Sequence, residues 1–284
     1  YVYSAVVADD GTLYIGGNFD NAGGNAAADK IAKWNGSAFS AVGTAGANSW
    51  VQSLAISRVG HLYAGGAFTD IGGSGADKLA RWDGSSWNVV GSATALNAIV
   101  YSIIPDPWGD GVIIGGDFTN AGGDGTLDYL ARVTVSGSTY AYTFANVGGS
   151  AASVPNGYVH TIYYDETLGR LYIMGAFTAV GSVAAAGIAY WDGSNWNPCG
   201  SGLTGTSGIP QQLTSDSDGN LYAACNGFTL AGGISLPDSF AIWRGNQWHP
   251  VKMDATSNSW VGHGVYYDPD TGDLFWLGEI ASSA

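Results

Sequence analysis

Four histidines, two cysteines and a scatter of aspartates are the groups in this chain that could do chemistry. His61, His160, His249 and His263 stand in no His-x-x-x-His or Glu-x-x-His spacing, so zinc or iron ligation has no scaffold. A Gly-x-Ser-x-Gly nucleophile elbow is absent from the sequence, and Glu166 and Glu279 are its only glutamates. A glycosidase could use aspartate pairs instead, but the aspartates gather in short glycine-containing stretches. These are Asp9-Asp10-Gly11, Asp216-Ser217-Asp218-Gly219 and the run from Asp268 to Asp273. Carboxylates at alternate positions beside glycine resemble the start of a calcium loop, and Asp268, Asp270 and Asp273 are the best Ca2+ candidates. Turn chemistry accounts for the same residues, with aspartate bonding its own backbone and glycine taking positive φ, and that reading is preferred. Apart from this weak Ca2+ option, no cofactor is expected.

The elements that must position these groups come from an internal repeat. An aromatic residue follows a glycine pair at Phe19, Phe68 and Phe118 and recurs at Phe177 and Phe228, with Ile280 in the equivalent place, at steps of about 50 residues. A second glycine pair starts four residues after the Phe, as at Gly72-Gly73, with Gly181-Ser182 in the fourth copy. An apolar-Ala-x-Trp segment then ends at Trp34, Trp82, Trp191 and Trp243, with Val133 in the third copy. Three residues past the next glycine come Phe39, Trp87, Trp196 and Trp248. The second copy predicts four strands: Val51–Ile56, Leu62–Phe68, Lys78–Trp82 and Ser86–Val90, the last pair joined by a hairpin turn at Asp83-Gly84. Four short strands at this period predict an all-β propeller of four-stranded antiparallel blades, in preference to a solenoid of stacked coils. The units run approximately 1–50, 51–99, 100–158, 159–210, 211–260 and a partial 261–284, within one domain. Six blades are expected. The partial last unit leads us to expect an excerpt of a longer or processed polypeptide.

Composition narrows the function. The formal net charge is −14, with nine Lys and Arg, so nucleic acid and anionic membrane surfaces are disfavoured as partners. No apolar run reaches membrane-spanning length. Only 11% of the residues are charged, which leaves a surface of Ser, Thr, Asn and Gly. Cys199 and Cys225 replace a Val and a Gly at core-like repeat positions, so two separate buried thiols are expected in preference to a disulfide.

In a propeller the first strand of each blade lines the central channel. Just after its opening residue come Tyr3, Gln52, Tyr101 and His160, with Gln212 and His263 in the last two copies. This position changes identity but stays mostly large and polar, so a ring of such groups could bind a small polar ligand. The plainer reading, that they fill and hydrate the channel mouth, is preferred. The recurrent Trp34, Trp82, Trp191 and Trp243 are expected to pack between blades. Trp50 and Trp260, expected in loops before a first strand, and Trp108, in an altered first turn, are the candidates for exposed ligand-stacking aromatics.

The pattern LYxGGxFTxxGGxxxxxIAxWDGSxW resembles the kelch-like, galactose-oxidase-type propeller repeats of large secreted proteins, fungal surface proteins and phage tail or fibre proteins. The resemblance runs from Val2 to Ile280. Galactose oxidase's copper site needs two Tyr, two His and a Cys cross-linked to one Tyr, and no matching motif stands here. The resemblance is specific for the repeat and not for function; the missing catalytic spacing and the two lone glutamates favour a non-enzymatic structural and adhesive module outside a cell, on its surface or on a virion. Its expected partners are surface glycans or other structural subunits of a larger assembly. The alternative is a carbohydrate-active or oxidative enzyme with its site at the channel mouth.

Overall fold

The computed structural model describes residues 1–92, 94–136, 140–149, 153–205, 210–252 and 260–280. It contains five four-stranded antiparallel sheets, each with its strands in chain order, and a two-stranded sheet at the end. Their first strands are Val2–Val7, Val51–Ile56, Val100–Pro105, Val159–Asp165, Gln212–Ser215 and Trp260–Tyr267. The second blade matches its expected strands closely: Val51–Ile56, Leu62–Gly66, Leu79–Trp82 and Trp87–Val89. The chain forms two compact units, Tyr1–Val154 with blades one to three and Pro155–Ala284 with blades four, five and the two-stranded sixth.

Within each unit the core lies between consecutive blades. Val42 and Ile31 of blade one pack with Val51, Leu54 and Trp87 of blade two. Tyr63 and Leu79 of blade two pack with Val100, Ile103 and Phe118 of blade three. In the second unit, Tyr172, Met174 and Cys199 of blade four join Leu213, Trp243 and Trp248 of blade five. Phe240 of blade five meets Val265 and Trp276 of blade six. Flat sheets must cover one another's apolar faces, and the repeat supplies matching faces at each step.

Two kinds of hydrogen bond stitch neighbouring blades. The hydroxyl of Ser4 accepts from the Leu54 N–H at 3.0 Å, and that of Ser53 accepts from Ile103 N–H at 2.9 Å. In the second unit Thr161 donates to the carbonyls of Pro210 and Gln211, and the Gln212 side-chain oxygen accepts from Val265 N–H. Within each unit the first strands of consecutive blades therefore run side by side. Further out, the indole N–H of Trp87 donates to Val42 O at 2.8 Å and that of Trp248 to Cys199 O at 2.9 Å. Trp82 and Trp243 are buried, and their rings close on Gly43 and Gly200 of the preceding blade. Trp34 and Trp191, in the first blade of each unit, are half-buried. Packing between blades is thus their role at Trp82 and Trp243.

The second glycine pair has a steric cause. Gly72, Gly122 and Gly232 all have φ near +60°, and a Cβ there would run into Trp87, Phe144 or Trp248 of the same blade. Both the backbone and the space exclude a side chain. A further device escaped the sequence reading. Asn48 donates from Nδ2 to Thr69 Oγ1 at 2.8 Å and accepts from Thr69 N–H at 2.9 Å. Asn97 with Thr119 and Asn156 with Thr178 repeat the clasp. Each clasp ties the loop before a first strand to the loop after the second.

Candidate functional site: the first-strand row, an inner cavity and two aromatic grooves

The row of variable residues has a structural cause. The register of the first two strands shifts between Val2 and Ser4, and again between Val51 and Ser53, between Val159 and Thr161, and between Gly262 and Gly264. In blade three Val100 pairs Gly116 while Ser102 pairs Gly115. Tyr3, Gln52, Tyr101, His160 and His263 are the extra residues at these five register shifts, as in β-bulges. Tyr3 and His263 are exposed, and Gln52, Tyr101 and His160 are half-buried. Burial lowers the His160 imidazole to about 4, against a smaller opposing bond to Pro210.

Two expectations need correction. Gln212 pairs Ala224 and takes the place of Ser4 and Ser53; Gln211 is the counterpart of the bulge residues. The fifth copy has no Val to anchor the alignment, which let the reading slip by one. Trp260 does not precede its strand but opens it, and its side chain lies outside the described residues. Trp50 is 39% exposed and sits just before Val51, at the bulge end of the first strands. Trp108 is 40% exposed but lies in the turn after Val100–Pro105, at the opposite end. Trp50 therefore shares an end with Tyr3, Gln52 and Tyr101, and Trp108 does not.

The first turns are held as turn chemistry predicts. Asp10 Oδ1 accepts from Thr12 N–H, and Asp268 Oδ1 from Asp270 N–H. Asp216 accepts from the N–H groups of Asp218 and Asn220, from Asn220 Nδ2 and from the Tyr222 hydroxyl. Asp273 contributes its N–H to Thr271 Oγ1. Among the described residues, Asp268, Asp270 and Asp273 form no metal-holding group, nor do any other three His, Cys, Asp or Glu side chains. Cys199 and Cys225 are separate, buried thiols, and burial raises the pKa of each.

Three concave places stand out. An inner cavity of 580 Å³ in the second unit is lined by the ends of three first strands, including Tyr163, Asp165, Gln212, Asp216 and Tyr266. Tyr163 OH bonds Ser215 Oγ at 2.8 Å, and Asp165 accepts from Leu168 N–H through Oδ1 while its Oδ2 is buried with no partner. Two grooves occupy equivalent places beside a fourth strand. One, of 310 Å³, is lined by Gly200, Ser201, Gly232, Ile234, Trp243, Asn246, Gln247 and Trp248. The other, of 360 Å³, is lined by Gly91, Ser92, Gly122, Tyr140, Ala141, Tyr142 and Phe144. Gly91-Ser92 corresponds to Gly200-Ser201, Gly122 to Gly232, and Phe144 to Trp248. Neither groove is lined by a charged side chain. Arg81, buried beside the second, donates from Nε to Tyr142 OH at 2.7 Å and places its guanidinium 3.8 Å from the centre of the Tyr140 ring. That stack fixes Tyr140, which is itself 39% exposed. The grooves went unnoticed in the sequence because each joins two successive copies; the recurrent Gly-Ser after the fourth strand was the available signal.

No family model matches the chain, and no curated protein matches it. Solved structures do. YCF48, in a structure bound to D1 peptide, aligns over 98% of this chain and 76% of its own, with 12% identity and a TM-score of 0.54. The extracellular domain of BT4673 from B. thetaiotaomicron aligns over 98% of this chain and 38% of its own, with 13% identity and a TM-score of 0.50. Virginiamycin B lyase from Staphylococcus aureus aligns over 98% and 92%, with 12% identity and a TM-score of 0.45. At such identities the likeness is one of fold. The chain is an all-β protein of propeller-type blades.

Proposed function

We propose that this chain is a non-enzymatic module, displayed extracellularly, on a cell surface or on a virion, that binds uncharged glycans through grooves between its blades. The observation that carries this reading is the recurrence of an uncharged aromatic groove at equivalent positions in blades three and five. Aromatic faces stack on the C–H faces of sugars, while hydroxyl and amide groups such as those of Ser201, Asn246 and Gln247 bond sugar hydroxyls. Two similar grooves on one chain favour repeated ligands, where avidity multiplies a weak single-site affinity. The kelch-like resemblance and the extracellular setting of the BT4673 domain support the location.

A glycan array probed with the chain, followed by titration, tests the reading. Gln247→Ala changes one groove rim in an exposed hairpin, and Tyr140→Ala removes an aromatic face of the other together with its stack on Arg81 of blade two, so circular dichroism matching wild type is required of both. Binding that both substitutions weaken supports the proposal. Binding unchanged by either, or glycan turnover abolished by His160→Ala, would overturn it in favour of an enzyme.

A further inference from the structure

An aspartate ends the first strand, or follows it, in four copies, and its second oxygen is served differently from blade to blade. Counted from Tyr101, His160, Gln211 and His263, the residues Asp106, Asp165, Asp216 and Asp268 hold the same place. In blade three Asp106 is 0% exposed; its Oδ1 accepts from Trp108 N–H at 2.9 Å and its Oδ2 from Arg132 Nε at 2.6 Å. In blade five Asp216 Oδ2 accepts from Asn220 Nδ2 at 2.7 Å and from the Tyr222 hydroxyl at 2.9 Å. In blade four Asp165 is 1% exposed and its Oδ1 accepts from Leu168 N–H at 2.9 Å, but its Oδ2 is buried with no partner among the described residues. The third strand gives the reason. Ile113 pairs with Arg132 in blade three, and the corresponding pair in blade four is Tyr172 with Tyr190. A tyrosine stands where Asp106 finds its arginine. Arg170 acts on Asp165 through its charge, yet its guanidinium bonds Tyr172 and lies 4.6 Å from the centre of the Tyr190 ring.

Asp165 stands in the wall of the 580 Å³ cavity, whose lining residues all belong to the second unit. That volume lies in the range of small-molecule sites. Glu166 and Asp216 line it too, and no Lys, Arg or His is among its lining residues. Tyr163, Tyr266 and Tyr267 supply aromatic wall. The Asp216 carboxylate is taken up by its own turn and by Tyr222, and the Tyr163 hydroxyl by Ser215. These groups therefore contribute charge and ring surface, and Asp165 Oδ2 is the acceptor left open. Among the described residues no three acidic side chains converge as metal ligands, so the arrangement does not suit an inorganic cation. A buried carboxylate oxygen without a donor carries a desolvation cost that a charged donor relieves. Aromatic rings attract an organic cation by their faces.

We propose that this cavity binds a small organic amine as its ammonium ion, with an N–H donating to Asp165 Oδ2 and the hydrocarbon part against the tyrosine rings. The ammonium does for Asp165 what the Arg132 guanidinium does for Asp106. The site differs in place and in chemistry from the uncharged grooves beside the fourth strands, so it adds a second ligand class to the glycan reading. A neutral alcohol of the same shape keeps a donor but lacks the charge that a cavity lined by three acidic residues favours.

Isothermal titration of the whole chain with phenethylamine tests the proposal, at low ionic strength so that screening is weak. Saturable binding with a Kd below about 10 mM is expected for a ligand of this size. Phenethyl alcohol should bind at least about tenfold more weakly, and Asp165→Asn, which keeps the acceptor for Leu168 N–H, should lower the amine affinity at least about tenfold. General attraction of an amine to a chain of net charge −14 hardly changes when one charge is removed, so this variant separates a site from that background. Circular dichroism matching wild type confirms that Asp165→Asn is folded. If it is not, Glu166→Gln, at an exposed position of the same wall, removes a second charge and should weaken binding about threefold. The probe carries no sugar, so its failure to bind leaves the glycan reading standing. Binding that does not saturate, equal affinity for the alcohol, or a folded variant that binds the amine like wild type would each overturn the proposal.

Discussion

Trp196 and Trp248 occupy the same position in blades four and five of the second unit, and both are buried, at 6% and 3% exposure. Each stands beside a partner tryptophan, Trp191 or Trp243, at ring-centroid distances of 5.7 and 5.3 Å. They differ in one respect: Trp248 Nε1 donates to Cys199 O, while Trp196 Nε1 is buried with no partner. Substituting Phe removes the N–H and shrinks the ring by roughly 40 Å² of apolar surface, about 1 kcal/mol in either place. At Trp248 the change also removes a hydrogen bond, adding about 0.5–1.5 kcal/mol, while Cys199 O keeps its bond from Gly202 N–H, so Trp248→Phe should destabilise by about 1.5–2.5 kcal/mol. At Trp196 it removes an unpaired buried donor, and the relief offsets the lost area, leaving stability within about 1 kcal/mol of wild type. Urea unfolding followed by circular dichroism gives both values under one condition, with the shift in midpoint at constant slope as the readout. Equal losses for the two variants would refute the claim that the indole bond, as distinct from ring volume, joins blade four to blade five.

Two further outcomes follow from the same structure. Asn48→Ala removes the Thr69 clasp and a further acceptor for Asp70 N–H, so it should cost unit one about 1–3 kcal/mol; Asn48→Asp keeps the acceptor and should cost less, both read by urea midpoints. For His160, a folded pKa of about 4 against about 6.5 unfolded means that the unfolded chain binds the extra proton first. Its contribution is therefore constant above about pH 6.5 and lost as pH falls towards 4, by up to about 3 kcal/mol. His160→Gln should flatten the stability profile across that window, and an NMR titration placing the imidazole near 6.5 would remove the basis for the effect.

Most of the fold was legible because the repeat writes it several times. One copy of Leu-Tyr-x-Gly-Gly-x-Phe is ambiguous between strand and loop, but five copies in phase leave only strands that pair within a copy and faces that pair across copies. The aspartate turns were legible for a local reason: Asp83 accepts from Ser85 and Ser86 N–H within its own hairpin, which needs no knowledge of the rest. What escaped were features that depend on register or on two copies at once. Gln212 was misplaced by one because a bulge is invisible to alternation alone, and the fifth copy lacks the valine that marks it. Lys30, Lys78, Tyr129 and Ser239 all hold positive φ just before a third strand, where only the fourth copy has glycine, at Gly187. Residue preference points away from that conformation, and the closure of Lys78 N–H on Phe68 O and of Gly66 N–H on Lys78 O imposes it.

The candidate site follows the same division. A groove lined by Gly200 and Ser201 from one copy and Trp248 from the next belongs to neither sequence unit, so no single motif announces it. Its aromatic wall does two jobs at once: the Trp248 indole holds the blades together through Cys199 O, while the groove borders its ring. That coupling explains why the recurrent tryptophans need not be free to take part in binding. It also fixes where specificity can change cheaply. Asn246 and Gln247, in an exposed hairpin, can vary without disturbing the interblade bonds, whereas Tyr140 is tied to Arg81 of blade two, so changes in ligand choice should map to the hairpin positions while the tryptophans stay fixed.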